Sequence, residues 1–345
     1  MIRKPKVYII HRHIKSLTAF LKVVDLQGLE DRLEWDPQHP EILFASEWIY
    51  YDKVCFLEFS SLWPKAKLRV LMAFEAINPD MNLFDYAFGF NNRVNYEGDR
   101  FIRLLSPIHL FANFISCTEN DIHDVEAAKA CLVSKTGFCN FLYTNSAAHP
   151  MRDQLFFELN KYKKIDSLGR HLNNVDRPGT GYAGYQTEGI DIKSHYKFSI
   201  ASENACFRGY TSEKVFTSFI AHTVPIYWGN PDVKEDVNPK AIINASDYSS
   251  FDELRSFVEY VDTHDDVWAE MVSRPWMTSD QIEMHNKRTR VFKERLKSIL
   301  FGDINDLQRL AQGTHQDYYR RSILENEFLK APKFNKIRRF FRRHF

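Results

Sequence analysis

The second half of the chain alternates short apolar runs with longer amphipathic ones, and this alternation constrains the fold more than any other feature. The apolar runs are rich in Val, Ile and Phe, which favour buried strands. Strands that alternate with helices predict a parallel sheet with helices on its faces. Such sheets bind ligands at the carboxyl ends of their strands, where helix N-termini offer N–H groups to anions. The predicted strands are 138–144, 196–201, 224–228 and 241–245, and the predicted helices are 151–162, 211–222 and 251–261.

The first half contains a similar series of short β-rich runs separated by polar segments, and these runs fit the strands of a second covered sheet. They are 7–10, 54–59, 68–74 and 86–90, and an acidic, then Ala-rich stretch at 120–135 fits a short helix. The length of 345 residues corresponds to about two domains. We therefore expect an α/β protein with one domain over 1–130, a second over 131–315 and a tail over 316–345.

Composition places the chain among globular proteins. Apolar residues make up 44% of it and charged residues 26%, which excludes a disordered chain, a collagen and a small disulfide scaffold. The five cysteines include no CxxC pair, so we expect reduced thiols in a cytoplasmic protein. Residues 1–24 have no uninterrupted apolar core, and no run of about 18 apolar residues occurs anywhere. We expect neither a signal peptide nor a membrane span.

A long polar segment at 166–193 interrupts the strand and helix pattern. It contains GTGYAG at 179–184, which formally matches the GxGxxG fingerprint of dinucleotide-binding proteins. That fingerprint requires a strand before it and a helix after it, and the preceding residues 176–178 (DRP) supply neither. We therefore interpret 166–193 as a surface loop.

Polar residues are densest just after the predicted strand at 196–201. The segment 202–204 (SEN) follows that strand, and the hydroxyls of 211–212 (TS) suit the cap of the next helix. Lys214 falls in the first turn of this helix, on the side opposite its apolar face, where a positive charge opposes the helix dipole. Such a lysine is either a solvated surface residue or a ligand of a bound phosphate. Spacing alone leaves both interpretations open.

Several ordered segments resemble the signature of the α-1,3-fucosyltransferases, family ten of the glycosyltransferases. The family pattern is approximately YKF-x-L-x-FEN, then Y-x-TEK, then TVPIYWG. This chain has YKFSIASEN, YTSEK and VPIYWG in that order, at 196–204, 210–214 and 224–229. Further matching segments are 75–90, 162–170, 238–240 and 251–253, so that the resemblance covers about residues 67–265.

This resemblance implies a GT-B fold of two facing Rossmann-like domains with parallel sheets and a cleft between them. The first domain would bind mainly the acceptor, and the second would bind GDP-fucose. The family's reaction inverts the anomeric centre of GDP-β-L-fucose in one displacement. That chemistry requires a base for the acceptor hydroxyl, positive groups for the departing diphosphate, and tolerance of oxocarbenium character.

The resemblance also implies roles for single residues. Glu75 matches the proposed general base and would otherwise be an ordinary carboxylate at a strand end. Arg152 and Lys214 match the residues that hold the diphosphate. Arg152 would otherwise be a surface residue of its helix, and the stretch 145–152 is one residue longer than the family spacing. The remaining matches are Glu213 for the ribose and Asn204 and Tyr210 for further donor contacts. Glu203 would either support the site or contact the ligand, and Ser212 would support the site.

Three departures from the family pattern concern the substrate sites. Ser202 replaces Phe, and Ser212 replaces Thr but keeps the hydroxyl. The segment 91–98 replaces an acidic segment that would face the acceptor, so the sequence does not determine which acceptor hydroxyl is used.

Tyr227 and Trp228 lie in an apolar strand, which favours packing in the core over stacking on guanine.

The sequence indicates no obligatory metal. It contains no DxD triplet and no His or Cys pair with ligand spacing. Lys214, Arg152 and helix N–H groups could balance the charge of the diphosphate. Stimulation by a weakly held divalent ion is compatible with this expectation.

The charge of the chain is segregated. The last sixteen residues carry seven Lys and Arg and no acid, which leaves the rest of the chain at −6 because the whole chain has a net charge of +1. On a helical projection the aromatic residues of this tail gather on one side and the basic residues on the other, which is typical of a helix in a membrane interface. The alternatives are a frayed surface helix and a nucleic-acid patch.

Together these features predict a GDP-fucose-dependent α-fucosyltransferase that acts on a glycan acceptor. We expect an α-1,3 linkage to GlcNAc or a related sugar of a bacterial surface polysaccharide or lipopolysaccharide. The tail would hold the protein peripherally on the anionic inner face of the cytoplasmic membrane, without a nucleic-acid partner. The alternatives are a transferase for another GDP-sugar and a glycan-binding relative without activity. The oligomeric state stays open.

Overall fold

The computed structural model describes residues 4–92, 100–105, 122–176, 188–310 and the single position 322. The chain forms two compact units. The first contains the described residues up to 105 together with 286–310, and the second contains those between 122 and 285. Each unit has one parallel sheet with helices packed against it.

The first unit has a six-stranded sheet in the order β2-β1-β3-β4-β5-β6, and every pair of neighbours is parallel. The central strands are mostly apolar and buried because helices cover both faces of the sheet. In the register, Val7 of β1 pairs with Ile42 of β3, which in turn pairs with Leu68 of β4. The strands are β1 (Lys6–Ile10), β2 (Glu34–Trp35), β3 (Ile42–Ser46), β4 (Leu68–Met72), β5 (Tyr86–Gly89) and β6 (Phe101–Arg103).

The second unit has a five-stranded parallel sheet in the order β11-β10-β9-β7-β8. Its long central strand β9 pairs Ile200 with Ile226 of β10, and Tyr227 and Trp228 are buried as expected. The strands are β7 (Gly137–Phe141), β8 (Ile165–Ser167), β9 (Tyr196–Ser202), β10 (Val224–Trp228) and β11 (Ile243–Asn244).

The helices follow in chain order. They are α1 (Leu17–Val23), α2 (Trp48–Tyr51), α3 (Lys53–Leu62), α4 (Val125–Cys131), α5 (Met151–Asn160), α6 (Glu188–Ser194), α7 (Glu213–Ile220), α8 (Phe251–Thr263), α9 (Asp265–Val272), α10 (Ser279–Phe301) and α11 (Ile304–Leu307). Among the described residues, no helix has both the length and the apolar character needed to cross a membrane.

The strand predicted at 54–59 is wrong, because these residues lie inside α3. Asp52 begins this helix, since its carboxylate accepts the N–H groups of Val54 at 2.8 Å and Cys55 at 3.1 Å. The buried residues Cys55, Phe56, Phe59 and Leu62 share one helical face. Val54, which favoured a strand, is 72% exposed.

The segment predicted as a surface loop, 166–193, is partly built into the sheet and its covering layer. Its start belongs to β8, which pairs with β7, and its end belongs to α6, where Lys193 is buried. The side chain of Asn174 bonds to the carbonyl of Ile165 at 2.8 Å and to the N–H of Ser167 at 2.8 Å, which closes the turn after β8. The GTGYAG match at 179–184 lies outside the described residues.

The units differ from the predicted domain boundaries at the end of the chain. The prediction placed everything up to 315 in the second domain, whereas 286–310 pack with the first unit. The cause is the apolar face of α10, on which Phe292, Leu296 and Ile299 are fully buried in the core around β1 and β3. The basic tail at 330–345 lies outside the described residues.

Candidate functional site

A buried carboxylate organises the start of α7 in the second unit. Glu203 follows β9 directly and is fully buried. Its Oε1 atom accepts the N–H of Ser212 at 2.8 Å, and its Oε2 atom accepts the hydroxyl of Ser212 at 2.6 Å. Ser212 is the N-cap of α7, and its Oγ atom accepts the N–H of Lys214 at 3.5 Å. Glu203 therefore supports the cap of this helix.

Lys214 is buried beside this carboxylate, with 8% of its surface exposed. Its Nζ atom lies 3.0 Å from Ser212 Oγ, 3.3 Å from Glu213 Oε1 and 3.4 Å from Glu203 Oε2. These carboxylates offset the unfavourable position of a cation at a helix N-terminus. Burial raises the pKa of Glu203, and the charge of Lys214 opposes that rise. The burial of Lys214 rules out the alternative of a solvated surface lysine.

Arg152 is also buried, with 1% of its surface exposed, although it is the second residue of α5. Its Nη2 atom donates to the carbonyl of Ser202 at 3.1 Å and to Oδ1 of Asn204 at 2.6 Å. Its guanidinium carbon lies 4.0 Å from the centre of the Tyr143 ring. Its buried Nε atom has no hydrogen-bond partner within the described part of the chain. These contacts rule out the alternative of a surface arginine.

Tyr143 connects the two cations, and the sequence analysis did not identify it. Its hydroxyl accepts the N–H of Ser202 at 2.7 Å and donates to the carbonyl of Ile200 at 2.8 Å. Burial raises the pKa of Tyr143 to about 12, while the charges of Arg152 and Lys214 oppose that rise. Both cations therefore act on one residue at the carboxyl edge of this sheet.

The loop between β9 and α7 carries two more predicted residues. Tyr210 is almost fully buried, and its carbonyl accepts the hydroxyl of Tyr227 at 3.4 Å. Glu213 is partly exposed in the first turn of α7. Gly229 has φ +152°, and a Cβ atom there would overlap the Cβ and Cγ atoms of Glu203. Only glycine therefore fits after β10 while Glu203 keeps its position.

A second buried lysine lies next to Lys214. Lys193 of α6 donates from Nζ to Thr217 Oγ1 at 2.7 Å and to Ser218 Oγ at 3.2 Å. Burial lowers the pKa of Lys193 to about 7. The two lysines line one small cavity together with Leu142, Tyr143, Ile200 and Thr217. The sequence analysis missed Lys193 because it falls in the segment interpreted as a loop.

In the first unit, Glu75 follows β4 after two further residues and is partly exposed. A second carboxyl group, Glu47, follows β3 and has 4% of its surface exposed. Its Oε2 atom accepts the N–H of Phe74 at 3.0 Å. Burial raises the pKa of Glu47 to about 7, and the charge of Glu75 raises it further. The charge of Glu75 thus acts on a second carboxyl group at the carboxyl edge of the first sheet.

Aromatic rings lie at the same edge. The ring of His11 packs against those of Trp48 and Phe74, with centres 6.4 Å and 6.0 Å apart, and the guanidinium carbon of Arg12 lies 5.3 Å from the Trp48 ring centre. Burial lowers the pKa of His11 to about 4, so this imidazole is neutral at physiological pH. An apolar face with a carboxylate pair beside it could bind a sugar ring and accept a proton.

The structure thus divides the predicted residues between the two units. It brings together those expected to bind the donor, and it places Glu75 in the first unit. The grouped residues are Arg152, Glu203, Asn204, Tyr210, Ser212, Glu213 and Lys214. No group of three or more His, Cys, Asp or Glu side chains that could hold a metal ion occurs among the residues that the structure describes.

Comparison with known proteins finds a family match that covers most of the second unit and continues into α10. Residues 132–300 match the model of the glycosyltransferase family 10 (fucosyltransferase) C-terminal region. The α-(1,3)-fucosyltransferase FucT of Helicobacter pylori is 29% identical over 231 residues, which are 59% of this chain and 46% of that protein. The human GDP-fucose protein O-fucosyltransferase 3 is 31% identical over 147 residues, which are 41% of this chain and 30% of that protein. The chain therefore spans less than half the length of these relatives.

Solved structures confirm the fold class. A crystal structure of an α1,3-fucosyltransferase superposes with a TM-score of 0.67, covering 90% of this chain and 94% of that one at 24% identity. A structure of such an enzyme with GDP-fucose gives a TM-score of 0.63 over 88% of this chain and 93% of that one, at 23% identity. The predicted α/β class of the GT-B type, with two parallel sheets, is confirmed. The similarity to glycosyltransferase family 10, the fucosyltransferase family, covers residues 132–300.

Proposed function

We propose that the chain transfers L-fucose from GDP-β-L-fucose to a hydroxyl of a glycan acceptor, with inversion at the anomeric carbon. One observation carries this proposal. Two buried cations, Arg152 and Lys214, each stand in the first turn of a helix at the carboxyl edge of the second sheet. Helix N-termini and cations both attract anions, and together they form a site for a diphosphate.

The two cations have complementary chemistry. Arg152 offers a planar guanidinium fixed by Ser202, Asn204 and the Tyr143 ring, and its Nε–H still has the capacity to donate. Lys214 offers a compact ammonium with three donors. Both are fixed before a ligand arrives, so little reorganisation is needed when charge develops on the leaving diphosphate.

The relatives support fucose as the transferred sugar. Their names share fucose and differ in the acceptor, since they include α-(1,3)- and α-(1,4)-fucosyltransferases and a protein O-fucosyltransferase. We assign this chain an α-1,3 linkage to GlcNAc or a related sugar of a bacterial surface glycan, because the resemblance extends over 75–90 of the first unit. The basic tail would bring the enzyme to lipid-linked acceptors at an anionic membrane surface.

The chemistry then follows from the named groups. Glu75 accepts the proton of the acceptor hydroxyl while that oxygen forms a bond to C1 of fucose. The bond between C1 and the diphosphate oxygen breaks, and its electron pair leaves with GDP. Lys214 and Arg152 stabilise the charge that develops on the departing oxygens. Attack from the side opposite GDP converts the β-linked donor into an α-linked product.

A donor comparison tests this function. The purified chain is incubated with GDP-fucose or GDP-mannose, alone and with defined acceptors that contain galactose or N-acetylglucosamine. We expect GDP release and a new α-fucoside, identified by NMR linkage analysis, with GDP-fucose. A preference for GDP-mannose would show a transferase for another GDP-sugar. Glycan binding without turnover of either donor would show a non-catalytic relative.

A further inference from the structure

The buried carboxyl group of Glu47 has no counterion among the described residues. Glu47 follows the central strand β3, whose neighbours on either side are β1 and β4. Among the described residues, its carboxylate accepts one hydrogen bond from outside its own backbone, the N–H of Phe74 at 3.0 Å. A buried carboxylate with so little compensation costs free energy. An apolar residue at this position would stabilise the fold more. The carboxyl group therefore points to a role in function.

The hydrogen bond from Phe74 ties Glu47 to the residue just before Glu75. It fixes the backbone at the point where the chain leaves β4 and therefore fixes the direction in which Glu75 leaves the sheet. The two carboxyl groups also interact through space, because the charge of Glu75 contributes to the electrostatics of Glu47. Burial raises the pKa of the Tyr51 hydroxyl, and the charges of Glu75 and Glu47 add to that rise.

We propose that Glu47 is a positioning residue for Glu75: it orients the backbone that carries Glu75 and, when ionised, favours transfer of the acceptor's proton to Glu75. This inference rests on the proposed function. Two like charges at close range favour the state in which one of them takes up a proton. Proton transfer from the acceptor hydroxyl to Glu75 relieves that repulsion. Glu47 itself neither gains nor loses a proton in the reaction.

Glu47 titrates in the range where this effect can be measured. Burial raises its pKa to about 7, so its ionised fraction rises between pH 6 and pH 8. Two neighbouring groups keep one protonation state over this range, because burial raises the pKa of Tyr51 to about 12 and lowers that of His11 to about 4. Among the described residues, His13, whose ring packs against Trp48, and the exposed Arg12 also lie at this edge, and the charge of Lys15 acts on His11.

The test compares Glu47→Gln with Glu41→Gln. Glu41 is a buried glutamate at the opposite end of β3, where it bonds to Lys67 at 3.1 Å. Glutamine at 47 keeps an oxygen for the N–H of Phe74 but carries no charge. We expect Glu47→Gln to lower kcat for fucose transfer about tenfold at pH 8 and to flatten the rise in kcat between pH 6 and pH 8. GDP affinity should not change, and Glu41→Gln should keep the profile of the unaltered chain.

Three results separate the outcomes. A normal kcat and pH profile for Glu47→Gln, in a chain that transfers fucose, would overturn the role of Glu47 alone. A rise in kcat that persists in Glu47→Gln and disappears in His13→Gln would overturn it in favour of His13. Absence of fucose transfer by the unaltered chain would contradict the proposed function itself. Adding Glu47→Gln to Glu75→Gln should cause no further loss, and an additive loss would show that Glu47 acts independently of Glu75.

Discussion

The ammonium group of Lys214 lies 3.4 Å from Oε2 of Glu203, and both side chains are buried at the start of α7. Ser212 bonds to both groups, so Glu203, Ser212 and Lys214 form one hydrogen-bonded cluster at the cap of the helix. This cluster holds the positive charge of Lys214 at a fixed position, unlike a flexible surface lysine. We propose that this arrangement binds the diphosphate.

Removing the cation should weaken nucleotide binding. We expect Lys214→Ala to lower GDP affinity by about thirtyfold, which corresponds to about 2 kcal/mol for lost charged hydrogen bonds. Because Ala also leaves Glu203 without its cation, Lys214→Gln serves as a second variant that keeps donors for Glu203 and Ser212. Isothermal titration calorimetry with GDP measures the effect.

The matched control is Lys197→Ala. Lys197 lies near the other end of β9, where it bonds to the carbonyl of Asp262 at 2.6 Å and to Asp265 at 3.0 Å. We expect GDP affinity to stay unchanged in this variant. Normal GDP binding by both Lys214 variants would contradict the phosphate role of Lys214.

A methyl group at position 229 should displace the side chain of Glu203. Gly229→Ala forces a side chain into φ +152° and into the Cβ and Cγ atoms of Glu203. We expect a loss of about 2 kcal/mol or more in unfolding free energy, together with weaker GDP binding. Urea denaturation provides the measurement. Gly28→Ala is the control, because Gly28 has φ +87° with nothing within 4 Å of the added atom; equal losses in the two variants would show strain alone and no contact with Glu203.

The buried Lys193 should make the free energy of unfolding depend on pH. Burial lowers its pKa from 10.5 to about 7, so between these values the unfolded chain binds more protons than the folded one. The contribution of this group to the free energy of unfolding therefore rises as pH increases from about 7 to about 10. We expect Lys193→Met to lose this component, as measured by urea denaturation across that range. Parallel curves for the two proteins would contradict the buried, deprotonated state of Lys193.

The basic tail predicts binding to anionic lipid. Deletion of 332–345 should release the protein from vesicles that contain anionic lipid, since each basic residue near such a surface contributes about 1 kcal/mol. A variant with glutamine at 338, 339, 342 and 343 keeps the aromatic residues and should also lose binding. Co-sedimentation with anionic and neutral vesicles is the assay. Unaltered co-sedimentation of the shortened chain would show that the tail is not the anchor.

Much of the fold of the second unit could be predicted, because β9 and β10 are apolar runs bounded by turns and caps. The first unit was harder to predict. The run 54–59 has the β-branched and aromatic content of a strand, and the cap formed by Asp52 and the helical spacing of Cys55, Phe59 and Leu62 distinguish it as a helix. The strand β3, at 42–46, is also apolar, but the sequence analysis did not predict it.

The candidate site shows a similar limit. The resemblance identified Arg152, Glu203 and Lys214, but their burial depends on contacts between distant positions of the sequence. The bond of Arg152 to Asn204 joins α5 to the end of β9, and periodicity within one helix cannot reveal it. Glu47 was not predicted because the strand β3 before it was not predicted. Its proximity to Glu75 results from the pairing of β3 with β4, which lie far apart in the sequence.

The central claim is that the chain transfers fucose with Glu75 as the base, and the turnover of Glu75→Gln tests it most directly. Initial rates of transfer from GDP-fucose are compared for the unaltered chain, Glu75→Gln and the control Glu41→Gln, with GDP affinity measured on the same preparations. The account predicts a loss of at least about a hundredfold in kcat for Glu75→Gln alone, as expected for a missing general base, with unchanged GDP affinity. Transfer by Glu75→Gln at close to the unaltered rate would contradict it.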